Sequence, residues 1–270
     1  MSSSSTFKAT HGAGYELQMG RWSQRLTQPF LDFAGSAAHE QVLDVGCGTG
    51  HLAYGLARIQ PTARVTGIDY APAYVEHARQ RGGGERLCFE VGDACALRFG
   101  DALFDRALAL LVLHFVPRSE DAIAEMRRVT KPGGIVAAAV WDARGGFVAN
   151  RIFFDTAAVL DAKANERRAR NYTRPLTRPG ELAAAWRAAG LEEVSEASLM
   201  IRMDFSDFCD YWAPYAGQDG PGAEYVATLT DDAKARLQDA VRMAYLDGEA
   251  DGPRSYAALA WAVRGRVPLA

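Results

Sequence analysis

The nine residues V-L-D-V-G-C-G-T-G, from Val42 to Gly50, constrain this chain more than any other feature. Val42 to Val45 is a short apolar run carrying one acid, Asp44. Glycines at 46, 48 and 50 then let the backbone turn sharply and expose amide groups at a helix start. The same grammar recurs from about residue 40 to 141, with apolar runs at 42–45, 64–68 (closing on Asp69), 86–91, 104–110 and 135–141. Helical stretches fall between them at 51–60, 72–80 and from Ser119, which is expected to cap a helix whose apolar stripe is Ile123, Met126 and Val129. Lys131-Pro132-Gly133-Gly134 is expected as a turn before the fifth strand. Alternation of this kind builds βαβ units, hence a parallel sheet with helices on both faces. Ile135 to Trp141 is almost wholly apolar, as a strand covered on both faces requires.

Beyond residue 142 the rhythm changes. A helix is expected over 177–190, capped by Thr177 and stopped by Gly190. Ala197, Leu199, Ile201, Met203 and Phe205 alternate with polar residues, the period of a strand with one wet face. Tyr256 to Val263 is more continuously apolar and fits an interior strand. Two stretches lie outside this sheet, at about 142–176 and 206–254, the second containing an aromatic group (Phe208, Tyr211, Trp212, Tyr215) and a helix over 231–246. At the amino-terminal side, residues 1–36 divide into a frayed serine tract (Met1 to Thr6) and a cap helix with a stripe of Trp22, Leu26, Phe30 and Phe33, kinked at Pro29. Residues 37–270 form the main domain.

Composition narrows the function. Thirty Lys+Arg against 33 Asp+Glu leave a formal charge of −3, so no basic excess draws the chain to nucleic acid or anionic membrane. The apolar runs, such as Leu108 to Val116, are far shorter than the roughly 20 residues of a spanning helix. The serine-rich start lacks the plan of a secretory signal. Four cysteines (Cys47, Cys88, Cys95, Cys209) form neither a CxxC pair nor a zinc pattern. The expectation is a cytoplasmic protein without a metal.

A glycine turn alone is weak evidence, since such turns also serve simple strand-to-helix reversals. Here two further acids stand at the ends of the next strands, Asp69 in G-I-D-Y and Asp93 in V-G-D-A. In an open parallel sheet all three strand ends face one crevice, beside the point where strand order reverses. Asp69 suits the hydroxyls of a ribose, Asp93 an exocyclic adenine amine, and Asp44 an ammonium group, directly or through water. A nicotinamide dinucleotide fits less well. Its fingerprint needs a third glycine where this chain has Leu52, and no Tyr-x-x-x-Lys pair is recognisable.

D-V-G-C-G-T-G, G-I-D-Y-A, G-D-A and K-P-G-G, in this order over residues 40–141, resemble the class I S-adenosylmethionine-dependent methyltransferases, close to their bacterial small-molecule group. The resemblance implies a Rossmann-like seven-stranded sheet, ordered 3-2-1-4-5-7-6 with strand 7 antiparallel. It also implies S-adenosylmethionine as cofactor and S-adenosylhomocysteine as product. Gly46, Cys47 and Gly48 would lie against the methionine part, Asp69 would hold the ribose, and Tyr70 would pack near the adenine. Asp93 and the Ala94 amide would read the adenine edge, and Leu110 would offer its carbonyl to the cofactor amine. The segment G-Y-E-L-Q-M-G-R-W at 14–22 resembles the amino-terminal cap of the group, which implies that Tyr15 and Arg21 close over the cofactor. The plainer alternative is a helix that only packs on the sheet.

A sulfonium methyl group is already a strong electrophile, so much of the work is alignment of the acceptor for in-line displacement. A general base matters where the acceptor is a hydroxyl. Among five histidines His114, just past the fourth strand in L-V-L-H-F-V, is the candidate catalytic residue; its alternative is a histidine bonded to structural backbone. His11, His39, His51 and His77 are assigned to the surface or to positions behind the site. Trp141, Tyr211 and Trp212 are candidate walls for a flat small-molecule acceptor, or else simple packing. The basic run Arg167, Arg168, Arg170, Arg174 and Arg178 is read as a solvated face and its turn, the alternative being a site for an acidic acceptor. Two other functions remain open at this stage, an NAD(P)-dependent oxidoreductase and a non-catalytic cofactor-binding protein, because one architecture hosts several activities.

Overall fold

A computed structural model describes residues 11–269. The serine tract Met1 to Thr6 lies outside the described residues. The chain opens with a helical segment in three parts: α1 (Gly12–Tyr15), a π-helical turn (Glu16–Gly20) and α2 (Arg21–Ala34). The βα alternation follows as β1 (Gln41–Val45), α3 (His51–Ile59), β2 (Arg64–Asp69), α4 (Pro72–Gln80), β3 (Leu87–Val91), β4 (Phe104–Leu110), α5 (Ser119–Val129) and β5 (Thr130–Trp141). The remainder comprises α6 (Val148–Leu160), α7 (Ala162–Tyr172), α8 (Glu181–Ala188), β6 (Glu192–Phe205), α9 (Phe208–Trp212), α10 (Pro221–Val226), α11 (Asp231–Leu246) and β7 (Arg254–Arg266).

The seven strands form one sheet in the order β3-β2-β1-β4-β5-β7-β6. β1 to β5 pair in parallel, and β7 runs antiparallel between β5 and β6. This is the sheet that the sequence resemblance implies. Each face carries its own core. On one, Leu26 and Phe30 of α2 join Leu52 and Leu56 of α3 and Phe153 of α6; on the other, Ile123 and Met126 of α5 join Trp186 of α8 under Leu43 and Val45. Trp186 also satisfies its indole by donating to the Val136 carbonyl at 2.9 Å, which ties α8 to the centre of β5.

Several local expectations are corrected. Ser119 is the first helical residue rather than the cap: Arg118 occupies that position and no side chain caps the helix. Glu120 and Asp121 in its first turn supply the favourable charge instead. Thr177 does not open a helix, because its hydroxyl turns back to the Arg174 carbonyl at 2.8 Å. α8 begins only after Gly180, where the Glu196 carboxylate from β6 accepts from the Gly180 and Ala183 amides. The K-P-G-G turn lies within β5: Thr130 pairs with Phe104, register is lost, and pairing resumes at Arg106 with Ile135. Gly133, at φ 77°, takes the left-handed conformation that this bulge requires. β6 also begins earlier than its alternation suggested, since Glu192 and Ser195 pair with β7 around a bulge.

Candidate active site

At the carboxyl ends of β1, β2, β3 and β4 a single cavity opens, roofed by the amino-terminal helical segment and by residues from both stretches outside the sheet pattern. Its floor is the glycine-rich turn. The Gly46 and Cys47 amides both donate to the Ile68 carbonyl at 2.8 Å, which fastens the turn to β2. Gly46 has φ 71°, and a Cβ there would lie 2.3 Å from Val112. Gly48 has φ 53° and faces the ring of Tyr15 across the space a side chain would fill. At Gly46 the backbone path and the crowding both demand glycine, and at Gly48 the backbone path alone does.

Two acids in this corner are nearly sealed from water. Asp69 accepts from the Gly48 amide (3.0 Å) and the Ala71 amide (2.9 Å), yet burial outweighs those bonds and pushes its pKa up to about 6. Asp44 is deeper, 1% exposed, and one carboxylate oxygen has no hydrogen-bond partner. Burial, and then the charge of Asp69, push its pKa up to about 7. The order is physical: Asp69 ionises first and its charge opposes ionisation of Asp44. Asp93, in the loop after β3, folds its carboxylate back onto the Cys95 amide at 2.9 Å.

Tyr15, Gly46, Gly48, Asp69, Tyr70, Asp93, Ala94, Leu110, His114, Trp141 and Tyr211 all line the cavity. Four candidates do not. Arg21 turns away: its guanidinium grips Asp210 through two contacts of 2.9 and 3.0 Å and stacks between Trp22 and Phe205. Trp212 is buried against Phe153 and Phe208, filling core instead of the cavity wall. Cys47 points into the protein towards Gly67, where burial pushes its thiol pKa well up. Asp44 is buried and does not reach the cavity wall.

Tyr15 lies over the turn and its hydroxyl bonds to Ser23 at 2.9 Å, one helical turn beyond the π segment. A π turn in the middle of a helix re-aims the side chains that follow, a frequent device at sites. Glu16 explains why it persists here. Its carboxylate accepts from Thr49 Oγ1 and from His51 Nε2 (2.9 Å), so it clasps the amino-terminal segment to the glycine turn, and these bonds hold its pKa down. His51 is therefore buried behind the site, not at the surface. Sequence reasoning missed Glu16, although it is the only charged residue besides Arg21 in the segment 14–22.

The other end of the cavity is aromatic and apolar. His114 is 5% exposed, its Nδ1 has no partner, and burial followed by the nearby Arg174 charge drives its pKa down to about 3. The imidazole is thus neutral at ordinary pH. Trp141 lies 5.1 Å from Phe147, and its buried indole nitrogen is also unpartnered. Leu111, which lines the same cavity, has φ 63°, a strained conformation for a leucine. Arg174 and Asn171 also line the cavity. A run of arginines hides such a residue: Arg168 pairs with Asp155 and Arg167 with Glu224, while Arg174 turns inward over Phe115.

Comparisons with known proteins agree with this architecture. Residues 43–138, which span β1 through most of β5, match a methyltransferase domain family. A ubiquinone/menaquinone biosynthesis C-methyltransferase from Desulfotalea psychrophila is 38% identical over 118 residues, 44% of this chain and 48% of that protein. The chain thus matches about half the length of that curated relative. A phosphoethanolamine N-methyltransferase 2 from Haemonchus contortus, solved with phosphomonomethylethanolamine and S-adenosylhomocysteine, shares the fold (TM-score 0.59, 15% identity, 95% of this chain and 57% of that one). So does the cyclase SpnF (TM-score 0.53, 25% identity, 92% and 81%). The matched segment is a methyltransferase domain, and the fold is shared with a methyltransferase solved with S-adenosylhomocysteine.

Proposed function

We propose that this protein is an S-adenosylmethionine-dependent methyltransferase acting on a small molecule. The observation that carries the proposal is the single cavity: a polar corner built from the glycine turn, Asp69 and Asp93 runs directly into an aromatic chamber at His114 and Trp141. The residues fit the cofactor. Gly46 and Gly48 leave room for a ligand against the backbone, and the unpartnered Asp44 oxygen and the strongly desolvated Asp69 favour a ligand rich in cations and hydroxyl donors. When bound, S-adenosylmethionine supplies a methyl group already activated as an electrophile.

The chain's own residues do the rest. Asp69 holds the ribose hydroxyls, while Tyr70, Asp93 and the Ala94 amide hold the adenine. The Leu110 carbonyl and the glycine turn hold the amino-acid end, and Asp44 compensates positive charge from behind the turn. Tyr15 covers the site and excludes water, an arrangement that Glu16 locks. Trp141, Tyr211 and Tyr215 shape the acceptor chamber, and neutral His114 orients the acceptor by hydrogen bonding. Residues 11–36 are the cap, and the 142–176 and 206–254 segments close the acceptor side. Four unpaired cysteines fit a reducing, cytoplasmic compartment. No helix of the described residues is long and apolar enough to cross a membrane.

Asp69→Ala tests the assignment. S-adenosylhomocysteine binding measured by calorimetry should weaken at least about tenfold, the cost of losing charge-assisted hydrogen bonds. Circular dichroism should report the same fold. Unchanged affinity would remove Asp69 from the cofactor site.

A further inference from the structure

The acceptor chamber holds an unusual combination of groups for a largely apolar space. Arg174 lines it from the loop after α7. Its guanidinium donates to Asn171 Oδ1 at 3.2 Å and lies 4.4 Å over the ring of Phe115, both also cavity residues. His114 and Trp141 line the same space, and each carries a polar atom that is buried and without a hydrogen-bond partner, Nδ1 and Nε1 respectively. An unsatisfied buried donor costs about 1–3 kcal/mol, so an indole N–H kept dry in this way points to a ligand oxygen that completes it.

We propose, resting on the methyltransferase reading, that the acceptor is a flat, largely apolar molecule bearing an acidic oxygen group, bound as its anion against Arg174. The indole of Trp141 donates to an oxygen of the same molecule, and His114 serves as an uncharged hydrogen-bonding partner.

Charge and shape both favour this class. A cation desolvated by its surroundings attracts an anion far more strongly than a surface arginine does, because little water screens the pair. Burial works against the charge on Arg174, lowering its pKa, and a bound anion relieves that cost. Among the described residues, Glu224 from α10 favours its cation and Arg170 from α7 opposes it. Glu224 is itself shared with Arg167 at 3.6 Å, so its charge is divided between two arginines. His114 adds none, since its ring is neutral. A cationic acceptor would meet Arg174 with no relief, whereas a flat anion finds Phe115, Phe147 and Tyr215 for its faces and Arg174 for its charge.

The test uses the full chain saturated with S-adenosylhomocysteine and two matched probes, 6-hydroxy-2-naphthoate and its neutral primary amide. Fluorescence titration gives each affinity for the wild type, Arg174→Gln and Arg174→Lys, while calorimetry follows S-adenosylhomocysteine separately. The acid should bind the wild type at least about tenfold more tightly than the amide, the usual worth of one charge-assisted bond. That preference should collapse to near parity in Arg174→Gln and partly return in Arg174→Lys, with S-adenosylhomocysteine affinity unchanged in both. A merely structural Arg174 would weaken both probes together and leave their ratio alone. Equal binding of acid and amide by the wild type, or an intact preference in Arg174→Gln, would overturn the proposal. Failure of S-adenosylhomocysteine to bind at all would instead remove the methyltransferase reading beneath it.

Discussion

Cofactor binding at this site should expel protons, and the amount follows from two carboxyls. Asp44 and Asp69 are pushed up to about 7 and about 6, from an ordinary value of 3.8, mainly by burial. A folded-state pKa above the unfolded one means that the folded protein holds the extra proton. In the free protein these groups therefore favour folding below about pH 4 and lose that contribution as pH rises through 6 and 7. A cofactor that brings positive charge towards Asp44 and hydroxyl donors to Asp69 reverses the balance and makes both ionise. Near pH 6.5 the free pair holds about one proton in total, so binding should release about one; near pH 8 it should release about a tenth of that. The same linkage makes affinity rise about a hundredfold between pH 5.5 and 7.5 if both groups ionise, and about 25-fold if only Asp44 does. Calorimetry of S-adenosylhomocysteine binding in buffers of different ionisation enthalpy counts the protons. Asp44→Asn, which removes one titration while keeping the volume, should flatten the profile. Proton release near zero at pH 6.5, or a profile unchanged in Asp44→Asn, would refute the assignment of these two acids to the cofactor's charge.

Other perturbations follow from the same geometry. Gly46→Ala forces a Cβ to 2.3 Å from Val112 at a positive φ, so it should cost about 2–4 kcal/mol in urea unfolding; a loss below about 0.5 kcal/mol would mean the turn is more adaptable than described. His114, lowered from 6.5 to about 3, contributes in the opposite sense to the acids: the unfolded chain binds the proton first, so stability falls as pH drops below 6.5. Between pH 6.5 and 5 that loss should be about 2 kcal/mol, and His114→Gln should abolish it; parallel pH–stability curves for the two proteins would show the imidazole to be solvated.

Much of the sheet, and the gathering of acids and glycines at one of its edges, was legible in the sequence because strand ends are fixed by topology. Once Val42–Val45, Arg64–Asp69 and the run before Asp93 are parallel neighbours, Asp69 and Asp93 must meet at one edge. Arg21 illustrates the limit. Its partner, Asp210, lies 189 positions away, and no local pattern distinguishes an arginine reaching a ligand from one reaching α9. Arg174 fails in the opposite direction, because neighbouring arginines with surface partners disguise the one that turns inward. Glu16 depends on a π turn, a departure from regular helix that residue spacing does not announce. Thr177 and Ser119 looked like caps, but a carboxylate from β6 and first-turn acids perform that service.

β7 has a consequence for how the protein comes into being. It is last of the seven strands in sequence, yet it lies between β5 and β6 and supplies the partner for both. During synthesis, the hydrogen-bonding edge of β5 stays open while more than a hundred further residues emerge, and β6 has nothing to join until residues 254–266 arrive. Strands β1 to β4, which floor the cavity, can assemble early, but the edge beyond β5 must wait for a long-range closure. An arrested or clipped chain ending before β7 should expose two unpaired edges, one of them almost entirely apolar, and be a target for chaperones rather than a smaller working enzyme.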